Sequence, residues 1–172
     1  MEAKAIEILD SHRIMAISTV RQDGWPQTTI VGYANDGLII YFLISRNSQK
    51  FANIARDERV SVAIGDEPRA IDEATAVYAG ACASEVTDPK QRKEAWRLLM
   101  YRHTNLADHE LPAKPQAALM RAVCKYVSIL DFTKGLGHTE SLTVGGGIAL
   151  IDPAKSDDLG LSAVRQMGEK AS

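Results

Sequence analysis

The stretch Ile14-Met15-Ala16-Ile17-Ser18-Thr19-Val20-Arg21-Gln22-Asp23-Gly24-Trp25-Pro26-Gln27-Thr28-Thr29-Ile30-Val31-Gly32-Tyr33 decides the fold. Its opening run, 14–20, is rich in β-branched and apolar side chains and ends at Asp23-Gly24, a strong signal for a tight hairpin. After Trp25-Pro26 a second β-rich run follows over 27–33. Asn35-Asp36-Gly37 repeats the turn signal, and residues 38–44 supply a third strand. Consecutive strands joined by tight turns predict an antiparallel meander.

Working outward, residues 3–10 place Ile6 and Leu9 three apart among charged side chains, which predicts a short amphipathic helix. On the other side, Ser45-Arg46-Asn47-Ser48 ends the third strand. Ser48 suits an N-cap, and Phe51, Ile54 and Ala55 share one helical face. A fourth strand is expected over 60–64, a polar connection over 65–72, and a long strand over 75–86 whose middle carries Ala79, Gly80, Ala81 and Ala83. Asp88-Pro89 starts another helix, with Trp96, Leu99, Met100 and His103 on one side. A short helix over 115–123 and a last strand over 125–132 complete the pattern. Strands come mainly as hairpins and outnumber helices, so the chain reads as mainly β (α+β), an antiparallel barrel with peripheral helices. Residues 1–144 form the expected domain. Residues 145–172, beginning Gly145-Gly146-Gly147, read as a C-terminal Gly-rich loop and arm.

The 172 residues are 45% hydrophobic and 24% charged, enough apolar material for a core without a metal or disulfide staple. A formal charge of −2 with scattered basic residues disfavours nucleic acid as a partner. No apolar run is long enough to span a bilayer, and Met1 to Ile6 has no signal-peptide pattern, so a cytoplasmic setting is expected. Cys82 and Cys124 make no CxxC pair and read as two buried, reduced thiols.

Two segments carry a resemblance. Gly24-Trp25-Pro26-Gln27-Thr28-Thr29-Ile30-Val31 resembles the turn and flavin-lining strand of the pyridoxamine 5′-phosphate oxidase-like FMN-binding split β-barrels. Residues 38–42, then Ser45-x-x-Ser48-Gln49-Lys50 and Asn53-Ile54-x-x-Asp57-x-Arg59-Val60-Ser61, resemble the next strand, the phosphate-binding turn and the strand after it. The resemblance covers roughly the first hundred residues and continues through Tyr78 to Ala83. It implies a split barrel, a homodimer, FMN as the cofactor, and a flavin-dependent oxidoreductase acting on a small molecule; the alternatives are a deazaflavin-dependent reductase of a sister group with the same barrel, or a non-catalytic flavin- or haem-binding module. The implied cofactor-binding residues are Gln27, Thr28, Thr29, Ile30, Val31, Ser45, Ser48, Gln49 and Lys50; it names no catalytic residue and no metal ligand.

That site has physical sense. Backbone N–H and C=O groups of a strand can meet the polar edge of an isoalloxazine, and a phosphate suits a hydroxyl, an ammonium and a helix start. The pyridoxamine phosphate oxidases themselves carry basic residues at both ends of the second strand and an arginine before the turn's lysine. Here those places hold Thr28, Tyr33 and Gln49, with Arg46 and Arg69 as other cations in the region. Of the four histidines, none pairs at a zinc spacing; His103 continues an apolar helix face and reads as packed, while His138 in a Gly-bearing loop is a candidate for ligand contact or proton transfer. Trp25 reads by default as buried in the core or an interface.

Overall fold

In the computed structural model, which describes residues 1–66, 68–106 and 116–144, the meander is present. It comprises β1 (Ile14–Val20), β2 (Pro26–Asp36) and β3 (Ile39–Ser45), preceded by α1 (Glu2–Ser11). Then follow α2 (Gln49–Arg56), β4 (Arg59–Gly65), β5 (Thr75–Glu85), α3 (Pro89–Arg102), β6 (Ala117–Asp131) and β7 (Thr139–Thr143). The strands are antiparallel in the order β3-β2-β1-β4-β5-β6-β7, and a further β3–β6 pairing closes six of them into a barrel. The fold is a split β-barrel with peripheral helices.

β6 makes the closure possible. Its first half pairs with β3, from Ala117 opposite Ser45 to Val123 opposite Ile39, while its second half pairs with β7 on that edge. β5 runs along its other edge from Met120 to Asp131, with a register shift near Gly80/Ala81. This corrects two expectations. Residues 117–123 are strand, not helix, although Ala, Leu, Met and Arg there all favour helix; pairing along both edges outweighs local propensity. A further strand, β7, follows among the described residues, and its polar, half-exposed residues give little apolar alternation to find.

The barrel interior is filled by inward positions of every barrel strand, including Met15, Ile17, Tyr33, Ile40, Phe42, Val62 and Val77. α1 adds Ala5, Ile8 and Leu9 to it at one end, and α2 adds Ile54. α3 packs outside on β2, β3 and β6, where Trp96 and Leu99 meet Ala34, Val86 and Leu119. His103 at its C-cap is packed as expected: Nε2 lies 2.9 Å from the Tyr33 carbonyl and the ring lies against Gly32. Arg102 donates to the Leu9 and His12 carbonyls at 2.9 and 2.7 Å, placing a cation at the end of α1, where the helix dipole favours one.

Other expectations change. Ala79, Ala81 and Ala83 are buried in the barrel core, where their small size serves the interior packing. Trp25 is 71% exposed in the single chain and so is not part of the barrel core. Cys124 is buried, but Cys82 on the alternate side of β5 is only partly so; both are free. Burial pushes the Cys124 thiol up to about 11. The arm over 145–172 and His109 lie outside the described residues.

Two carboxylates tie stability to acid. Asp57 caps α2 and holds Arg59 through both oxygens at 2.9 and 2.7 Å, which lowers its pKa to about 2. His138 and Lys134 hold Glu140 down to about 2 as well. Folded-state values below the unfolded ones near 4 mean that this contribution is present above about pH 4 and is lost as pH falls toward 2. The urea midpoint should therefore drop over that window, and Asp57→Asn should flatten the drop. An unchanged profile in the variant would contradict the assignment.

Candidate functional site

The split lies between β2 and β3. β2 pairs with β1 from Pro26 to Gly32, but β3 joins it only at Tyr33–Asp36. Among the described residues, 26–32 therefore have no strand on their second edge, and backbone donors and acceptors there can meet a partner of another kind. The side chains alternate. Thr28 and Ile30 are exposed, with the Thr28 hydroxyl 2.7 Å from Ser18, whereas Gln27, Thr29 and Val31 are half-buried. The Thr29 hydroxyl oxygen is buried and has no hydrogen-bond partner among the described residues.

α2 sits beside this opening. The turn before it is closed by Ser48, whose N–H and hydroxyl both donate to the Ser45 carbonyl, at 3.1 and 2.6 Å. The same hydroxyl oxygen accepts from the Phe51 N–H at 3.2 Å, so Ser48 is the N-cap that the sequence predicts. A helix cannot satisfy its own first N–H groups, and those of Gln49 and Lys50 stand at this start with the positive end of the dipole.

Asn53 anchors the helix. It is 1% exposed, accepts from Gln49 at 2.9 Å, and donates to the Thr19 hydroxyl at 2.9 Å and to Gln27 Oε1 at 3.1 Å. Gln27 and Gln49, named separately from the sequence, are thus joined through a residue that sequence reasoning gave no role. Its spacing four after Gln49 is the signal that could have found it.

Lys50 falls between Asn53 and Ile54 on the helix circumference, the face turned to the barrel. Its ammonium is half-buried, and among the described residues no hydrogen bond or ion pair reaches it. Desolvation lowers its pKa. Lys50 is therefore not the solvated surface lysine that its sequence alone would allow. The other cations are occupied or remote. Arg46 pairs with Glu85, and Arg69 follows β4 at the end opposite α2. Hollows flank α2: one of about 330 Å³ lined by Arg21, Gln22, Asp23 and Gln49, and one of about 440 Å³ lined by Phe51, Ile54, Glu85 and Met120 among others.

His138 is not part of this assembly. It lies 2.9 Å from Glu140 near the end of β6 away from α2. Among the described residues no group of three or more His, Cys, Asp or Glu could hold a metal ion, and no helix is long and apolar enough to cross a membrane.

The family model of pyridoxamine 5′-phosphate oxidase matches residues 1–131. The chain belongs to that family. No curated protein matches it. Among solved structures, it is similar to a conserved hypothetical protein from Mycobacterium tuberculosis, at 26% identity and a TM-score of 0.68, covering 87% of this chain and 94% of that one. A heme binding protein from Mycobacterium smegmatis gives 18% identity and a TM-score of 0.69, covering 83% of this chain; the match spans 56% of that protein's length. A FAD-binding protein from Mesorhizobium loti gives 20% identity and a TM-score of 0.60, covering 74% and 91% of the two chains. The latter two likenesses show the shared barrel. The family binds flavin in general, and these two neighbours are named as heme binding and FAD-binding proteins.

Proposed function

We propose that this family member binds FMN, with the phosphate at the start of α2 and the ring along residues 27–31 of β2, and acts as a flavin-dependent oxidoreductase on a small molecule. The observation that carries the reading is Lys50, a half-buried ammonium with no partner among the described residues, beside free helix amides and the Ser45–Ser48 turn. A partly desolvated charge without a partner is costly, and a phosphate would offset that cost with charge-assisted hydrogen bonds. The residues fit the group in two further ways: among the described residues, the second edge of β2 is open and the Thr29 hydroxyl is buried without a partner.

In this reading the bound flavin supplies hydride transfer. The chain's own residues do the positioning. Lys50 and the α2 amides fix the phosphate, Asn53 locks α2 to β1 and β2, and Gln27 to Val31 align the ring edge. One face of a ring lying on β2 would stay open to solvent, and a second copy of the chain is the proposed cover. A groove of about 340 Å³ on the outer sheet face, lined by Ile14, Ile30, Ala63 and Tyr78 among others, supports this, with Ile30 64% and Ile14 59% exposed.

The phosphate assignment is tested by affinity for paired ligands. Lys50→Ala should weaken FMN by about 1.5–3 kcal/mol in a fluorescence-quenching titration and leave riboflavin nearly unchanged. Equal losses for the two ligands would show that Lys50 acts through structure instead.

A further inference from the structure

Asn53 meets three side chains inside a sealed site, and their chemistry fixes which way its carboxamide points. It is 1% exposed, and Thr19 beside it is 2% exposed. Its Nδ2 donates to Thr19 Oγ1 at 2.9 Å and to Gln27 Oε1 at 3.1 Å, while its Oδ1 accepts from Gln49 Nε2 at 2.9 Å. An amide nitrogen carries two N–H donors, and oxygen atoms take both here. Turned over, the nitrogen would face Gln49 alone, and one buried N–H would be left without an acceptor. The observed polarity is therefore the one that satisfies the group, and it has a consequence at each end. The side-chain donor of Gln49 is spent on Asn53, so towards a phosphate this residue offers its backbone N–H. Gln27 is the reverse: its oxygen is held inward, and its Nε2 has no hydrogen bond among the described residues. Gln27 lies opposite Thr19 at the start of the open run of β2 and is half-buried.

We infer that Asn53 is a positioning residue for the ligand's ring. By holding the Gln27 oxygen inward it presents the Gln27 N–H pair to an acceptor on the ring edge, a carbonyl oxygen or a ring nitrogen. The inference deepens the FMN reading above and rests on it. A donor fixed at that edge meets more negative charge when the ring is reduced than when it is oxidised. It therefore binds the reduced form more tightly and raises the midpoint potential. Asn53→Asp reverses the arrangement with little change of shape. A carboxylate accepts from Gln49 and from a turned Thr19 hydroxyl, but it cannot donate to Gln27. The Gln27 carboxamide must then turn its nitrogen inward and its oxygen towards the ring.

The experiment measures FMN and riboflavin affinities, and the midpoint potential of bound FMN, for wild type, Asn53→Asp, Gln27→Ala and the double variant. Asn53→Asp should weaken FMN and riboflavin alike, by about tenfold, the scale of one hydrogen bond lost at the ring. The potential should fall by about 30 mV, which for a two-electron couple means that the reduced form loses a further tenfold. Gln27→Ala should also weaken both ligands and lower the potential. On that background Asn53→Asp should change neither affinity by more than about twofold and should leave the potential where it is. An effect of Asn53→Asp that persists without the Gln27 side chain comes from its charge or from altered packing, and would overturn the inference. So would a loss confined to FMN, or no loss in a folded Asn53→Asp protein while Lys50→Ala still separates the two ligands. Should Asn53→Asp fail to fold, Gln27→Glu decides, because it keeps an oxygen for Asn53 and puts a second oxygen where the N–H pair stood. A loss for both ligands greater than that of Gln27→Ala agrees with the inference, and an equal or smaller loss overturns it. Failure of the wild-type protein to bind FMN would overturn the FMN reading and this inference with it.

Discussion

Trp96→Ala should lower the unfolding free energy by about 3–5 kcal/mol, a large part of the 5–15 kcal/mol typical of a domain. Trp96 is 6% exposed on α3 and packs with Ala34, Val86, Leu99 and Leu119 in a cluster separate from the barrel interior. Removing the indole leaves a cavity in this cluster, whose cost adds to the lost burial. α3 also carries Arg102 and His103, which hold the end of α1 and the Tyr33 carbonyl. Loosening it should therefore free the C-terminal part of β2, next to the open run. Urea denaturation of Trp96→Ala and Trp96→Phe checks this: the phenylalanine variant should recover part of the loss. A loss below about 1 kcal/mol in the alanine variant would show that α3 is not needed to hold the barrel.

Gly80→Ala should cost about 1–3 kcal/mol although it adds one methyl group. A Cβ at Gly80 would overlap the Tyr126 ring, which lies across the strand from it. Tyr126 stands where β5 and β6 shift register and also pairs with Thr143 of β7, so displacing its ring acts on this edge of the sheet. The strain should thus disturb the β7 attachment. The cause is checked by a double-variant cycle: combined with Tyr126→Ala, the added Cβ has nothing to strike, and Gly80→Ala should then be nearly neutral. Costs that simply add would place the strain elsewhere.

Much of the fold was legible because β1, β2 and β3 carry apolar or β-branched runs punctuated by Asp23-Gly24 and Asp36-Gly37, and these runs and the structure agree within a few residues. The caps Ser48 and Asp88 were legible because capping is local chemistry. What failed was non-local. Residues 117–123 have helical composition and become strand only because β3 and β5 flank them. The site divides in the same way. The residues 27–31, 45 and 48–50 were named from a family pattern, and the open edge of β2 and the start of α2 give them a common place. Asn53 and the Arg46–Glu85 pair depend on contacts across 26 to 39 residues of chain, which no local pattern reports.

The central claim is an FMN site completed by a second copy of the chain, and sedimentation velocity recorded at the flavin's visible absorbance tests it most directly. At low micromolar protein with FMN present, the flavin signal should move with a particle of about twice the 18.8 kDa chain mass. A flavin boundary at the mass of one chain, or a flavin signal that stays with the free ligand while the folded protein sediments, would contradict it.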